Sequence, residues 1–211
     1  MKLAVIMTMY GRHENTYPLI ERVLTSSKIP DEIWIMCEGQ DDFDVASAAL
    51  DKLWRVNVTP ILLPTPRDGN RYAVIPYSNK INYALDRTKA DAIVYVDNGS
   101  MPSETKFEVM LKALLDNPDW GAVYCTQQRT GYREQTHGAD GIIADGYGIL
   151  NYTQVMHRPT TARWTTDMGK ANPDLADAIF WRDLGGPFHP VDGQVVHDTH
   201  HMNSAAAEGV I

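Results

Sequence analysis

A chain of 211 residues with 44% hydrophobic and 22% charged content can bury one sizeable core, and nothing in its length requires a second domain. Its net charge of -8 argues against a surface built to coat naked nucleic acid and favours a small-molecule or protein substrate. The two cysteines, Cys37 and Cys125, lie in separate apolar runs without metal-knuckle or disulfide-framework spacing, so a reducing, cytoplasmic setting is expected.

The first apolar run, 3–9, is too short for a signal peptide or a membrane span and reads as a first strand. Further strands are expected near 32–37, 58–63, 92–97 and 121–125, with helices at roughly 15–26, 43–54, 78–89 and 103–116. Such alternation is the signature of βαβ units and a mostly parallel sheet flanked by helices. In the first helix Ile20, Val23 and Leu24 share a face; Ser103 reads as the N-cap of the fourth, and Asn117-Pro118 ends it.

Beyond about residue 126 the pattern changes. Gly131, Gly138, Gly141, Gly146 and Gly148 crowd a polar stretch that reads as a long substrate-side loop or irregular β structure. An apolar run resumes over 175–182, Gly185-Gly186-Pro187 breaks it, and 193–208 reads as a C-terminal helix. No repeat, low-complexity tract or linker separates the halves, so 1–211 is read as one domain.

Tyr95-Val96-Asp97-Asn98-Gly99-Ser100 is the most informative segment. Ile93, Val94 and Val96 read as strand interior, which brings Asp97 out at the carboxyl end of the strand, where open α/β sheets bind ligands. A carboxylate there can hold a metal, a ribose or a phosphate-bound cation; Asp-Asn-Gly-Ser is also plain turn chemistry, and both readings stand.

Five motifs in order resemble those of the family 2 glycosyltransferases with the GT-A fold. Val5-Ile6-Met7-Thr8-Met9-Tyr10-Gly11-Arg12 resembles V-I-I-P-T-Y-N-R, and Glu32 to Asp42 resembles E-I-I-V-V-D-D-G-S-T-D. Ser78 to Leu85 falls where the family has a small-residue, Asn-containing helix. Tyr95 to Pro102 resembles the D-x-D region F-L-D-S-D-D-x-P, and Gly185-Gly186-Pro187-Phe188 the late G-G-F turn. The resemblance implies a nucleotide-sugar-binding half over about 1–126 and an acceptor and catalytic half over about 127–211.

It also implies roles. Thr8 and Tyr10 would lie beside the nucleotide base, Glu38 would accept from a base or ribose, and Asp97 would face the ribose or a metal-diphosphate, with Asn79, Lys80 and Asn98 in the same donor-binding set. Two departures matter. Gly99 stands where the second D-x-D carboxylate should be, and His197-Asp198 falls on the catalytic E-D motif when counted back from Ala207-Glu208-Gly209.

Inverting sugar transfer needs a general base for the acceptor hydroxyl and a cation or dipole for the leaving diphosphate. Asp198 is the candidate base and Asp192 the reserve; each is also readable as a helix-start carboxylate. In a helix, His197 and His201 would share a face at i and i+4, so His197, His200 and His201 are candidates to join Asp97 on a magnesium or manganese ion. Arg67 and Arg71, in a Gly-containing loop, offer positive charge for the diphosphate, as does Lys80. Trp164, Trp181, Tyr147 and Tyr152 could stack on a sugar, or simply fill the core.

The expected activity is transfer of a sugar from a nucleotide-diphosphate sugar, UDP-sugar first, to a hydroxyl acceptor on a protein, a nucleotide or DNA base, or a small molecule. The alternative is a nucleotide-sugar-binding scaffold of the same fold that has lost catalysis; donor binding without turnover would mark it. A sugar nucleotidyltransferase is the nearest competitor in fold, but the Gly-rich loop and basic residue that its chemistry needs after strand one are missing.

Overall fold

The computed structural model describes residues 1–53, 58, 60–63, 74–130, 135–137, 143–144, 147–148, 150–166 and 176–198; for 74–77, 128–130, 135–137, 143–144, 147–148, 176, 178 and 193–198 the description is of the backbone. The first half alternates as expected: β1 (Leu3–Met9), α1 (His13–Thr25), β2 (Glu32–Cys37), α2 (Gln40–Lys52), β3 (Pro60–Leu62), α3 (Val74–Leu85) and β4 (Ala92–Asp97). Then come β5 (Ser100–Pro102), α4 (Lys106–Asp116), β6 (Ala122–Thr130), β7 (Gln135–His137), β8 (Ile143–Ala144) and β9 (Tyr147–Gly148). A 3-10 turn (Tyr152–Gln154), β10 (Val155–His157), α5 (Ala176–Leu184) and β11 (Phe188–Asp198) complete them.

The main sheet runs β3-β2-β1-β4-β10-β6-β11-β5, with β7 against β6. β1 is parallel to both β2 and β4 and sets Thr8 beside Met36 on one side and Asp97 on the other. β10 runs antiparallel between β4 and β6, which makes β4, β6 and β11 point the same way.

All seven residues of β1 are buried, because helices cover both faces of the sheet. Leu3, Val5, Met7 and Met9 pack with apolar residues of α1, α2 and α4, whereas Ala4 and Ile6 pack with Ile81 of α3 and with Phe180 and Trp181 of α5. The period of two along the strand is what divides the core into two layers.

Three expectations need correction. Residues 193–198 are not helical: they form the second half of β11, with Val195 and Val196 in register with Gln127 and Gln128 of β6 and with Pro102 and Met101 of β5. β-branched residues fit a ladder that supplies partners on both sides, and those partners are distant in sequence. His197 and Asp198 therefore leave on a strand, so the helical i, i+4 pairing with His201 does not arise at His197. Residues 199–208 of the expected helix lie outside the described residues. Second, β6 runs on to Thr130 rather than stopping near 125. Third, α4 is capped at Thr105, without a side-chain cap, and not at Ser103.

Among the described residues no helix is long and apolar enough to cross a membrane. Cys37 and Cys125 are both free and buried, and burial pushes the Cys37 thiol up to about 12.

Candidate functional site

The turn that joins β1 to α1 is forced into an unusual shape. Gly11 and Arg12 both have left-handed backbones, at φ 54° and φ 48°. Glycine takes this at no steric cost, but for Arg12 it is strained, and surrounding bonds must hold it. Asp42, at the start of α2, accepts from Gly11 N at 2.9 Å, from His13 Nε2 at 3.0 Å and from Gly39 N at 3.2 Å. From the other side Asn98 donates its amide to Gly11 O, and Asn15 donates to Asn98 O at 3.0 Å. The turn after β1 and the turn after β4 are thus tied to each other.

Gly99 lies in the second of these turns. A Cβ placed there would overlap Nη1 of Arg12, 3.2 Å from Arg12 Cζ and 3.3 Å from Asp97 Oδ1. The absence of a side chain at Gly99 is what lets the Arg12 guanidinium lie against the backbone beside Asp97. Asp97 itself accepts from Gly99 N at 2.8 Å through Oδ1 and from the Tyr152 hydroxyl at 2.6 Å through Oδ2. Because Tyr152 donates to Asp97, Thr8 Oγ1 is the donor in its 3.2 Å contact with that hydroxyl.

Tyr152 is held in turn by its neighbours. Asn151 caps the 3-10 turn by accepting from Thr153 N at 2.9 Å, and the fully buried Lys106 donates to Thr153 O. Burial lowers the Lys106 pKa, against the pull of Cys125 and Asp97. On the far side Tyr152 N donates to Asp177 Oδ2 at 3.0 Å. Tyr152 is therefore a bridge between two carboxylates, its hydroxyl on Asp97 and its amide on Asp177. Burial pushes the Asp177 carboxyl up to about 7, the Tyr152 amide opposes this, and the negative charge of Asp97 adds to it.

Tyr152→Phe is expected to destabilise the protein by about 1–2 kcal/mol, since a hydrogen bond to a charged group is lost and Thr8 loses its acceptor. Urea denaturation of the variant beside wild type measures it.

Of the candidate residues, Thr8, Asp97 and Asn98 are brought together at the carboxyl ends of β1 and β4. Tyr10 is 56% exposed beside them, and Asn79 is exposed on α3. Glu38 and Lys80 meet one another: Lys80 Nζ donates to Glu38 Oε2 at 3.1 Å, with the lysine side chain 2% exposed. Asp192 is exposed in β11. The backbone of β11 sets His197 in register with Ser100 of β5 and Asp198 with Thr130 of β6. Arg67, Arg71, His200 and His201 lie outside the described residues. Trp164 and Trp181 are core residues, each 1% exposed, in an aromatic cluster with Tyr95 and Phe180, which rules them out as sugar platforms.

Sequence reading missed Asp177, Asp42 and the placement of Arg12. Asp177 sits in what reads as a plain apolar run, and a charged residue inside such a run was the signal available.

Solved structures share this architecture. TarS of S. aureus, residues 1-349 in complex with UDP, superposes with a TM-score of 0.66 at 12% identity over 94% of this chain and 61% of that one. The same protein in complex with UDP-GlcNAc gives 0.61 at 12% identity over 97% and 61%. The fold is of the GT-A type. A CMP:2-keto-3-deoxy-manno-octonic acid synthetase complexed with CTP also shares the arrangement, with a TM-score of 0.56 at 9% identity over 100% of this chain and 99% of that one. The chain spans about three fifths of TarS 1-349. No protein-family model and no curated protein matches the sequence. In this GT-A fold the Asp97 cluster occupies the carboxyl edge of the central strands.

The divalent cation implied by the resemblance does not fit the residues at the D-x-D position. Magnesium and manganese want an octahedron of oxygens, whereas the place of the second carboxylate is taken by the Arg12 guanidinium. Among the described residues no three His, Cys, Asp or Glu side chains gather as a metal site.

Proposed function

We propose that the chain is a glycosyltransferase that moves a sugar from a nucleotide-diphosphate sugar, a UDP-sugar in the first instance, to a hydroxyl acceptor with inversion. The observation that carries this reading is the Asp97-Tyr152-Asp177 arrangement: two carboxylates at one site, one kept near neutrality. Such a split suits an electrostatic partner and a proton acceptor at pH 7.

Asp177 is the base we favour. As the acceptor oxygen attacks the anomeric carbon, its proton passes to the Asp177 carboxylate, the bond from that carbon to the diphosphate breaks, and the nucleoside diphosphate leaves. Thr8, Tyr10 and Asn98 belong to the donor side with Asp97. Asp198, at the carboxyl end of β11, is the second candidate for base. A division into a donor half over about 1–126 and an acceptor half over about 127–211, and a cytoplasmic setting with two free thiols, complete the reading.

The test is a panel of UDP-, GDP- and dTDP-sugars, followed by calorimetry and by donor hydrolysis. Wild type is expected to bind and slowly hydrolyse a UDP-sugar, and Asp97→Asn to lose about tenfold in affinity, on the order of one good hydrogen bond to a charged group. Absence of binding to every donor would sink the proposal. Nucleotidyl transfer is the second reading, favoured by the end-to-end overlap with the synthetase; release of pyrophosphate from CTP with a sugar acid would establish it in place of the first.

A further inference from the structure

The D-x-D departure and the β1–α1 turn explain one another. Where a second carboxylate would stand to hold a cation, Gly99 leaves a gap, and a guanidinium, itself a cation, occupies it. We propose that Arg12 supplies the positive charge for the donor diphosphate, and that nucleoside diphosphate binding at this site is independent of a divalent metal. This rests on the nucleotide-sugar reading above and names the group that recognises the leaving diphosphate.

Several observations carry it. The Arg12 tip lies close to Asp97, since its Nη1 and Asp97 Oδ1 are both within 3.3 Å of the one point where a Gly99 Cβ would sit. A divalent ion at that point would meet the guanidinium at contact distance, and like charges repel there by several kcal/mol even at an effective dielectric of about 20. The side chain is also aimed by its backbone: Arg12 is kept left-handed by the bonds of Asp42 and Asn98 to Gly11, at a cost of on the order of 1 kcal/mol or more. Arg12 is only partly buried, so part of its fork faces solvent and is open to an incoming anion. A planar guanidinium can give two parallel N–H bonds to phosphate oxygens, which a hydrated lysine cannot match.

Titration calorimetry of the full chain with UDP and with uridine, each in EDTA and in manganese, tests the proposal. UDP is expected to bind in EDTA within about twofold of its affinity in manganese. Arg12→Ala is expected to weaken UDP at least tenfold while leaving uridine, which has no diphosphate, unchanged. Two further variants guard against a failure to fold: Arg12→Lys keeps the charge and should lose a few-fold, and Gly99→Ala pushes the guanidinium aside and should also lose a few-fold. UDP binding that appears only with manganese, or that Arg12→Ala, Arg12→Lys and Gly99→Ala all leave unchanged, overturns the inference while the nucleotide-sugar reading survives. If UDP, CDP, GDP and dTDP all fail to bind in either condition, both fall.

Discussion

Asp177→Asn is expected to cut sugar transfer by about 10²–10⁴-fold while UDP binding stays within about twofold of wild type. Asparagine keeps an oxygen for the Tyr152 amide, so the bridge from Asp177 to Asp97 survives and the loss reports proton acceptance alone. For wild type, kcat/KM is expected to rise about tenfold per pH unit up to an apparent pKa near 7 and then level off, since only the ionised carboxylate takes the proton.

The same variant has a signature in stability. Asp177 is raised from 3.8 to about 7 in the folded protein, so between these values the native state holds a proton that the unfolded chain has released. Stability conferred by the protonated form is therefore present at low pH and is lost as pH rises through that window. Above pH 7 the folded protein carries the whole cost of an ionised carboxylate in a desolvated place. Asparagine cannot ionise, and at about 1.4 kcal/mol per pKa unit Asp177→Asn is expected to gain on the order of 2–4 kcal/mol at pH 8 and almost nothing at pH 4. Urea unfolding at the two pH values measures this. A variant that keeps wild-type transfer would pass the role of base to Asp198, and one that is no more stable at pH 8 would show that burial does not strain the Asp177 carboxyl.

Glu38→Gln is expected to destabilise the protein by about 3 kcal/mol, lowering Tm by about 6–12 °C for a chain of this size. Lys80 is 2% exposed and its charge is disfavoured chiefly by burial, which Glu38 opposes most and Asp42 less. Removing the carboxylate leaves a buried ammonium whose charge is offset only by the smaller effects of Asp42 and Cys37. Adding Lys80→Met should restore most of the loss, because two well-packed neutral groups often do as well as a buried pair. The resemblance gives Glu38 a different task, accepting from the nucleotide base. If that task dominates, Glu38→Gln keeps its Tm and loses affinity for uridine, a result that calorimetry and a thermal melt separate cleanly.

The early strands were legible because each is a continuous apolar run, the pattern demanded of a strand covered on both faces, and β1, β2 and β4 fall where that pattern puts them. Asp97 was legible for the same reason: the run ends at it. The second half of β11 was not, since Gly193 to Asp198 has no periodicity that separates strand from helix in so short a stretch, and its ladder partners Gln127, Gln128 and Met101 are remote in sequence. Counting a motif back from the last residues then carried the proposed base with it.

Asp177 shows the same division at the level of chemistry. Its identity is in the sequence, but its raised pKa comes from burial and from Asp97, eighty positions earlier, facing it across Tyr152. The sequence by itself determined the order of strands and helices, the acidic strand end at Asp97 and the missing carboxylate at Gly99, because these depend on local apolar pattern and on residue type. Only the tertiary structure decided which groups share the site: Arg12 over Gly99, Tyr152 between Asp97 and Asp177, and Glu38 against Lys80. Charge and desolvation act through space, and chain order does not carry the distances on which they depend.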